Sequence, residues 1–184
     1  MKKSVLFLVL CLTGIISMSQ TKYSLKESKI MFFSKAALED IQAVNKSSIG
    51  LVDATSKDFV VKVTIKSFVF DKALMQEHFN ENYMESDKFP TAVFKGKIEG
   101  NFDAAKDDSY PVKMNGKLDI HGVVKDRVIP VTIVVKNGII TFSSEFKLAL
   151  ADHGIKIPKM VTQNIAEVVD VKVEGTLEPY VKKP

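Results

Sequence analysis

The stretch Val128 to Leu150, VIPVTIVVKNGIITFSSEFKLAL, constrains the fold more tightly than any other part of the chain. Asn137-Gly138 can supply the two positive φ angles of a type I′ turn, which joins antiparallel strands through two residues. In such a hairpin Lys136 pairs with Ile139 and Val135 with Ile140, so faces can be matched across the turn. Ile129, Val131, Ile133 and Val135 then share a face with Ile140, Phe142, Ser144, Phe146, Leu148 and Leu150. Thr132, Lys136, Thr141, Ser143, Glu145 and Lys147 take the other face. A one-residue slip would invert every side chain, so a parity that holds over the whole hairpin specifies its register.

The same period of two recurs elsewhere. In DFVVKVTIKSFVF, Phe59, Val61, Val63 and Ile65 oppose Val60, Lys62, Thr64 and Lys66, which reads as a half-buried strand. Val112, Met114, Gly116, Leu118 and Ile120 alternate with Lys113, Asn115, Lys117, Asp119 and His121, and Val169, Val171, Val173, Gly175 and Leu177 form a further inward row. Weaker strand patterns lie near Lys29 to Ser34, Leu38 to Val44, Ser48 to Ala54 and Thr91 to Gly100. About eight or nine antiparallel strands with one wet face must stack as a sandwich or close as a barrel. Periodicity alone leaves both open. Ala92, Gly96, Gly116, Gly122, Ser144 and Gly175 are small residues on the inward face, where they either accommodate sharp bends or leave room for a ligand.

One segment breaks the pattern. From Asp71, a candidate N-cap, to Met84, the residues Met75, Phe79 and Tyr83 form an i, i+4 row beside Leu74 and His78, with Gln76, Glu77, Asn80 and Glu81 facing out. Pro90 fixes the exit, because the residue before a proline is pushed out of helical conformation. The helix, near residues 71–86, is either a plain lid on the β-structure or a cover over the mouth of a cavity.

Lys2 and Lys3 precede an apolar run from Val5 to Ile16, and Ser17-Met18-Ser19 offers small residues for a signal peptidase. A run of about 12 residues is short of the roughly 20 that a spanning helix needs, so residues 1–19 read as a cleavable leader and not an anchor. Cys11, the single cysteine, falls inside this leader and Leu10 before it does not suit a lipoprotein signal. The mature chain, residues 20–184, then holds no thiol, which excludes disulfides, cysteine metal sites and cysteine nucleophiles. It is long enough for one domain with its own core. The formal charge of +4 includes both leader lysines, so the mature surface is weakly basic and argues for neither nucleic acid nor stable membrane association.

Reactive groups are few. His78, His121 and His153 are the only histidines and show no i, i+4 ligand pair; parity puts His121 on the wet face, and His153 sits in a loop. Ser47-Ser48 and Ser143-Ser144 lie in strand patterns without the strand-turn-helix elbow of a nucleophilic serine. The chain therefore reads as a non-enzyme with no catalytic residue, metal or cofactor.

The segment Ser86 to Gly100, then Val112 to Ile133, then Glu145 to Pro158, in that order, resembles the YceI-like family of secreted bacterial proteins. The Phe89-Pro90-Thr91 turn with Phe94, and Gly116-x-Leu118-x-Ile120-His121-Gly122, carry the resemblance most specifically. The chain departs from that family's usual pattern at Leu148-Ala149-Leu150, where an Arg is common. The resemblance implies an all-β fold, an extended antiparallel lipocalin-like barrel of about eight strands, whose interior holds a polyisoprenoid or quinone-type lipid in the periplasm or outside the cell. Phe68, Met75, Phe79, Tyr83, Phe89, Phe94, Phe142 and Phe146 would then supply apolar walls, with Gly116 and Ser144 marking the passage of the chain. The same aromatic residues would equally fill the solid core of a secreted β-protein that acts through its surface. The sequence leaves a homodimer open.

Overall fold

In a computed structural model that describes residues 21–35, 39–158 and 165–181, the Asn137-Gly138 hairpin forms in the expected register. Lys136 faces Ile139 and Val135 faces Ile140, with φ of 52° at Asn137 and 74° at Gly138. The leader expected at residues 1–19 lies outside the described residues.

Ten strand segments follow one another: β1 (Lys22–Ser34), β2 (Ile41–Asn45), β3 (Ser48–Asp53), β4 (Asp58–Thr64), β5 (Phe68–Phe70), β6 (Thr91–Glu99), β7 (Asp108–Ile120), β8 (Val123–Lys136), β9 (Ile139–Ala149) and β10 (Val168–Pro179). Register reduces them to eight paths. β1 pairs with β2 from Ile30 opposite Asn45 to Ser34 opposite Ile41, and with β3 from Lys22 opposite Asp53 to Ser24 opposite Leu51. Both sets lie on one register line, so β2 and β3 are a single strand interrupted at Lys46-Ser47. β4 and β5 likewise make one path, since β4 pairs with β3 and β5 with β2, but the register shifts by two residues between the two pairings, from Ser48 opposite Val63 to Asn45 opposite Phe68. Each path otherwise pairs antiparallel with its neighbours in sequence, and β10 returns to β1 through Tyr23 opposite Pro179 to Phe33 opposite Asp170. The sheet is thus a closed eight-stranded up-and-down barrel in which each path is paired with a neighbour on both sides.

DFVVKVTIKSFVF is accordingly two segments and not one strand. A 3₁₀ turn at Ile65–Ser67 breaks it, while Ile65 keeps its inward position and donates its N–H to the Pro90 carbonyl at 2.9 Å. Asn45 holds both interruptions together. Its side chain is fully buried, donates from Nδ2 to the Thr64 carbonyl at 2.8 Å and accepts from the Ser47 N–H at 2.7 Å. These bonds replace the ladder bonds that the two breaks remove, as buried backbone groups require.

The helix is shorter than its sequence pattern. α1 spans Ala73–His78 and continues as a π-helical turn, Phe79–Tyr83. Its N-cap is Lys72, with no side-chain cap bond, so Asp71 does not cap it. The widened turn is marked by Met84 N–H donating to the Phe79 carbonyl, five residues back, at 2.9 Å. Asn80 Nδ2 donates to the Gln76 carbonyl within the same stretch.

The small inward residues divide into two kinds. Gly96 and Gly116 face one another across β6 and β7, and a Cβ on either would lie 2.1 or 2.2 Å from a backbone oxygen of the opposite strand. They permit a close approach at a barrel bend and give no room to a ligand. Ala92 and Ser144, by contrast, line the interior.

His121 corrects its parity assignment. With Gly122 it forms a second two-residue turn, between β7 and β8, at φ of 55° and 72°. The ring folds back beside Phe89, 4.4 Å between centroids, and its side chain is only 13% exposed. Phe89 also occupies the space that a Cβ on Gly122 would need, 2.6 Å away.

Candidate functional site

The inward faces enclose a cavity of about 540 Å³ along the barrel. On β10 its lining runs from Val169 to Leu177, about 26 Å of strand at 3.3 Å per residue. At the far end Tyr23, Phe59, Ile98, Val112, Val135 and Ile140 close into a buried cluster. At the helical end Phe32, Phe68, Phe70 and Phe79 form a cluster of rings whose centroids lie 5.0 to 5.8 Å apart. Such spacing is favourable for aromatic pairs. The result is a lid: the i, i+4 row of Met75, Phe79 and Tyr83 faces the cavity, with Met84 and Ile155 packed beside it.

The lid is tied down at its exit. His121 Nε2 lies 2.9 Å from Glu85 Oε2, its Nδ1 is 3.3 Å from the His153 carbonyl, and Lys66 bonds Asp87 at 2.5 Å. His153 is wholly buried, with Nδ1 3.0 Å from the Val123 carbonyl. His121 and His153 are struts between lid, β7–β8 turn and the segment after β9, whereas His78 lines the cavity. Burial raises the Tyr83 phenol above its ordinary 10.0.

Of the sequence candidates, Phe68, Met75, Phe79, Tyr83, Phe94, Phe142, Ser144 and Phe146 line the cavity. Phe89 and Gly116 do not. Phe89 is spent against His121 and Gly122, and Gly116 has its partner strand where a ligand would have to lie. The sequence reading missed Phe32, the hub of the aromatic cluster, because Ile30, Met31, Phe32 and Phe33 are all apolar and show no alternation that says which of them faces inward. It also missed Asn45, Ser28 and Ser48, which follow or sit at irregularities in the strands.

The β8–β9 seam is open over part of its length. Ladder pairing stops at Thr132 opposite Ser143, although both strands continue. Pro130 has no N–H to donate there. Instead Ser144 Oγ donates to the Pro130 carbonyl at 2.6 Å and Arg127 Nη2 donates to the Lys147 carbonyl at 2.6 Å.

Charge is nearly absent from the interior. Glu39, near the lid, is the sole Asp, Glu, Lys or Arg among the described lining residues, and it is engaged by Lys72. Among the described residues no three His, Cys, Asp or Glu side chains are placed to hold a metal ion.

Comparison with family models matches the YceI-like domain over residues 21–177. The chain belongs to the YceI-like family. Solved structures of similar fold include a polyisoprenoid binding domain from Saccharophagus degradans implicated in plant cell wall breakdown, with TM-score 0.73 and 15% identity, over 86% of this chain and 98% of that one. BcnA of Burkholderia cenocepacia aligns with TM-score 0.67 and 18% identity, over 81% and 95% of the two chains. A YceI protein of Campylobacter jejuni covers 98% of this YceI-like chain and 100% of its own, with TM-score 0.57 and 21% identity. Comparison with curated protein sequences gives no match.

Proposed function

We infer that this YceI-like protein is a lipid-binding barrel that holds an isoprenoid chain, in the periplasm or outside the cell, and that it performs no chemistry on it. One observation carries the reading: an apolar cavity of about 540 Å³ that runs most of the barrel's length beneath an aromatic lid. Ligand sites are commonly roughly 300 to 1,000 Å³. An isoprenoid chain offers no hydrogen-bonding group along its length, so its site needs apolar walls and excluded water; each buried methylene contributes about 0.8 kcal/mol. The binding of a polyisoprenoid by the Saccharophagus domain of the same fold supports the same ligand class here. The cavity weighs against a solid-core protein acting through its surface. Among the described residues no helix is long and apolar enough to cross a membrane.

The test is native mass spectrometry of the folded protein purified from a bacterial host, followed by organic extraction. A bound isoprenoid released on denaturation is the expected result. Bound phospholipid or fatty acid would keep the carrier and overturn the isoprenoid, and protein that neither arrives loaded nor takes up isoprenoid when it is offered would overturn the reading.

A further inference from the structure

Among the described residues four serines line the cavity, and they are not equivalent. Ser144 spends its hydroxyl on the Pro130 carbonyl, and Ser34 Oγ accepts the Ala166 N–H at 2.8 Å. Ser28 Oγ and Ser48 Oγ are buried and have no hydrogen-bond partner among the described residues. Buried hydroxyls are ordinarily satisfied, because desolvating one without a partner is costly.

The two are also neighbours. The register line through Ile30 opposite Asn45 and Ser24 opposite Leu51 sets Ser28 opposite Ser47, one residue from Ser48. Each serine is the first inward residue after a break in alternation, at Lys26-Glu27 on β1 and Lys46-Ser47 before β3. The wall is thus irregular where, among the described residues, two unpartnered hydroxyls enter a largely apolar cavity. They lie away from the lid, towards the barrel's waist, since the lid cluster takes Phe32 further along β1.

We propose that Ser28 and Ser48 form a polar subsite for an uncharged oxygen, a carbonyl or hydroxyl, carried by the isoprenoid. The inference rests on the lipid-binding reading and narrows it to neutral oxygenated chains. A hydroxyl pair can donate to a carbonyl or exchange bonds with an alcohol. Among the described lining residues there is no Lys or Arg to meet an anionic head group; Glu39 carries the one carboxylate and His78 is the one imidazole. A site with buried polar groups discriminates against a ligand that leaves them unpaired.

The test compares phytol with phytane, a branched alcohol and its hydrocarbon counterpart, by displacement of a fluorescent probe from the full-length mature protein. The parent should bind phytol about tenfold more tightly than phytane, the worth of a net hydrogen bond. Ser28→Ala/Ser48→Ala should lose that preference, leave phytane binding within about twofold, and melt no lower than the parent, because removing unpartnered hydroxyls costs the fold nothing. Each single substitution should lose part of the preference, which keeps the test decisive if the double variant does not fold. Equal binding of both probes by the parent, or a preference that survives the substitutions, overturns the subsite while phytane binding still upholds the carrier. Binding of neither probe by the parent overturns both.

Discussion

The wall formed by β6, β7 and β8 and the wall formed by β1 with β2 and β3 solve the same problem in opposite ways. β7 pairs with β8 through thirteen consecutive residues, Asp108 to Ile120, and with β6 through seven. Backbone ladders run without a break between these strands, and the sharp bend is met by removing side chains at Gly96 and Gly116. The β1 wall has a gap from Leu25 to Lys29 in its pairing with β2 and β3, and side chains must complete it. Asn45 does so for the backbone, whereas Ser28 and Ser48 bring hydroxyls to the cavity that have no partner among the described residues. A continuous ladder therefore gives an inner surface that is shaped but chemically mute. An interrupted one gives the interior its polar vocabulary.

The contrast can be broken most forcefully at the bend. Gly116→Ala places a methyl about 2.2 Å from the Lys95 carbonyl oxygen, so loss of roughly 4 kcal/mol or failure to fold is expected in thermal melts. A variant as stable as the parent would show that the two strands can separate. Asn45→Ala removes both bonds that complete the interrupted wall and strands the Thr64 carbonyl; about 3 kcal/mol, or a melting temperature lower by roughly 10 °C, should follow. Ser144→Leu puts bulk in the channel and orphans the Pro130 carbonyl. Extractable lipid should fall well below the parent's at a stability cost of about 1 to 3 kcal/mol, and unchanged lipid would place the ligand elsewhere.

The smallest effect concerns the lid. Burial raises the Tyr83 phenol above 10.0, so the folded state holds that proton more tightly than the unfolded chain does. Its contribution is complete below the unfolded value and is lost as pH rises through the folded one. Parent protein should therefore lose stability above about pH 10 more steeply than Tyr83→Phe does, by the linkage of proton binding to folding. Tyr23 and Tyr110 are raised as well but belong to the far end, so the substitution isolates the lid; superimposable pH profiles would contradict this assignment.

Legibility followed regularity. The β8–β9 hairpin, with its Asn-Gly turn and unbroken parity, could be read to the residue, and so could the inward rows of β7 and β10. The aromatic lid showed itself through the 3.6-residue period of Met75, Phe79 and Tyr83. What escaped were places where one residue is inserted, alternation is absent or a turn conformation overrides it. The bulge at Lys26 hid Ser28, the uniformly apolar run Ile30 to Phe33 hid Phe32, the break at Lys46-Ser47 hid Ser48, and the turn at His121 moved a side chain from the expected wet face to Phe89. A period-two pattern cannot announce its own exceptions. Whether a small inward residue bends a strand or borders a space depends on the opposite strand, which no local pattern contains, and Gly116 and Ser144 fall on different sides of that question.

The seam between β1 and β10 has a kinetic consequence. The β6–β7, β7–β8 and β8–β9 pairs join strands adjacent in sequence and can form as hairpins while the rest of the chain is still unstructured. The seam joins Tyr23 to Pro179 and Phe33 to Asp170, so it must be closed against the entropy of nearly the whole chain. Until β10 docks, β1 exposes an unpaired edge that carries Phe32 and Phe33, and the channel is an open trough. Closing is then the slow step of folding, and a hydrophobic chain present at that moment can be enclosed as the trough shuts, with no need to thread the finished barrel from its end.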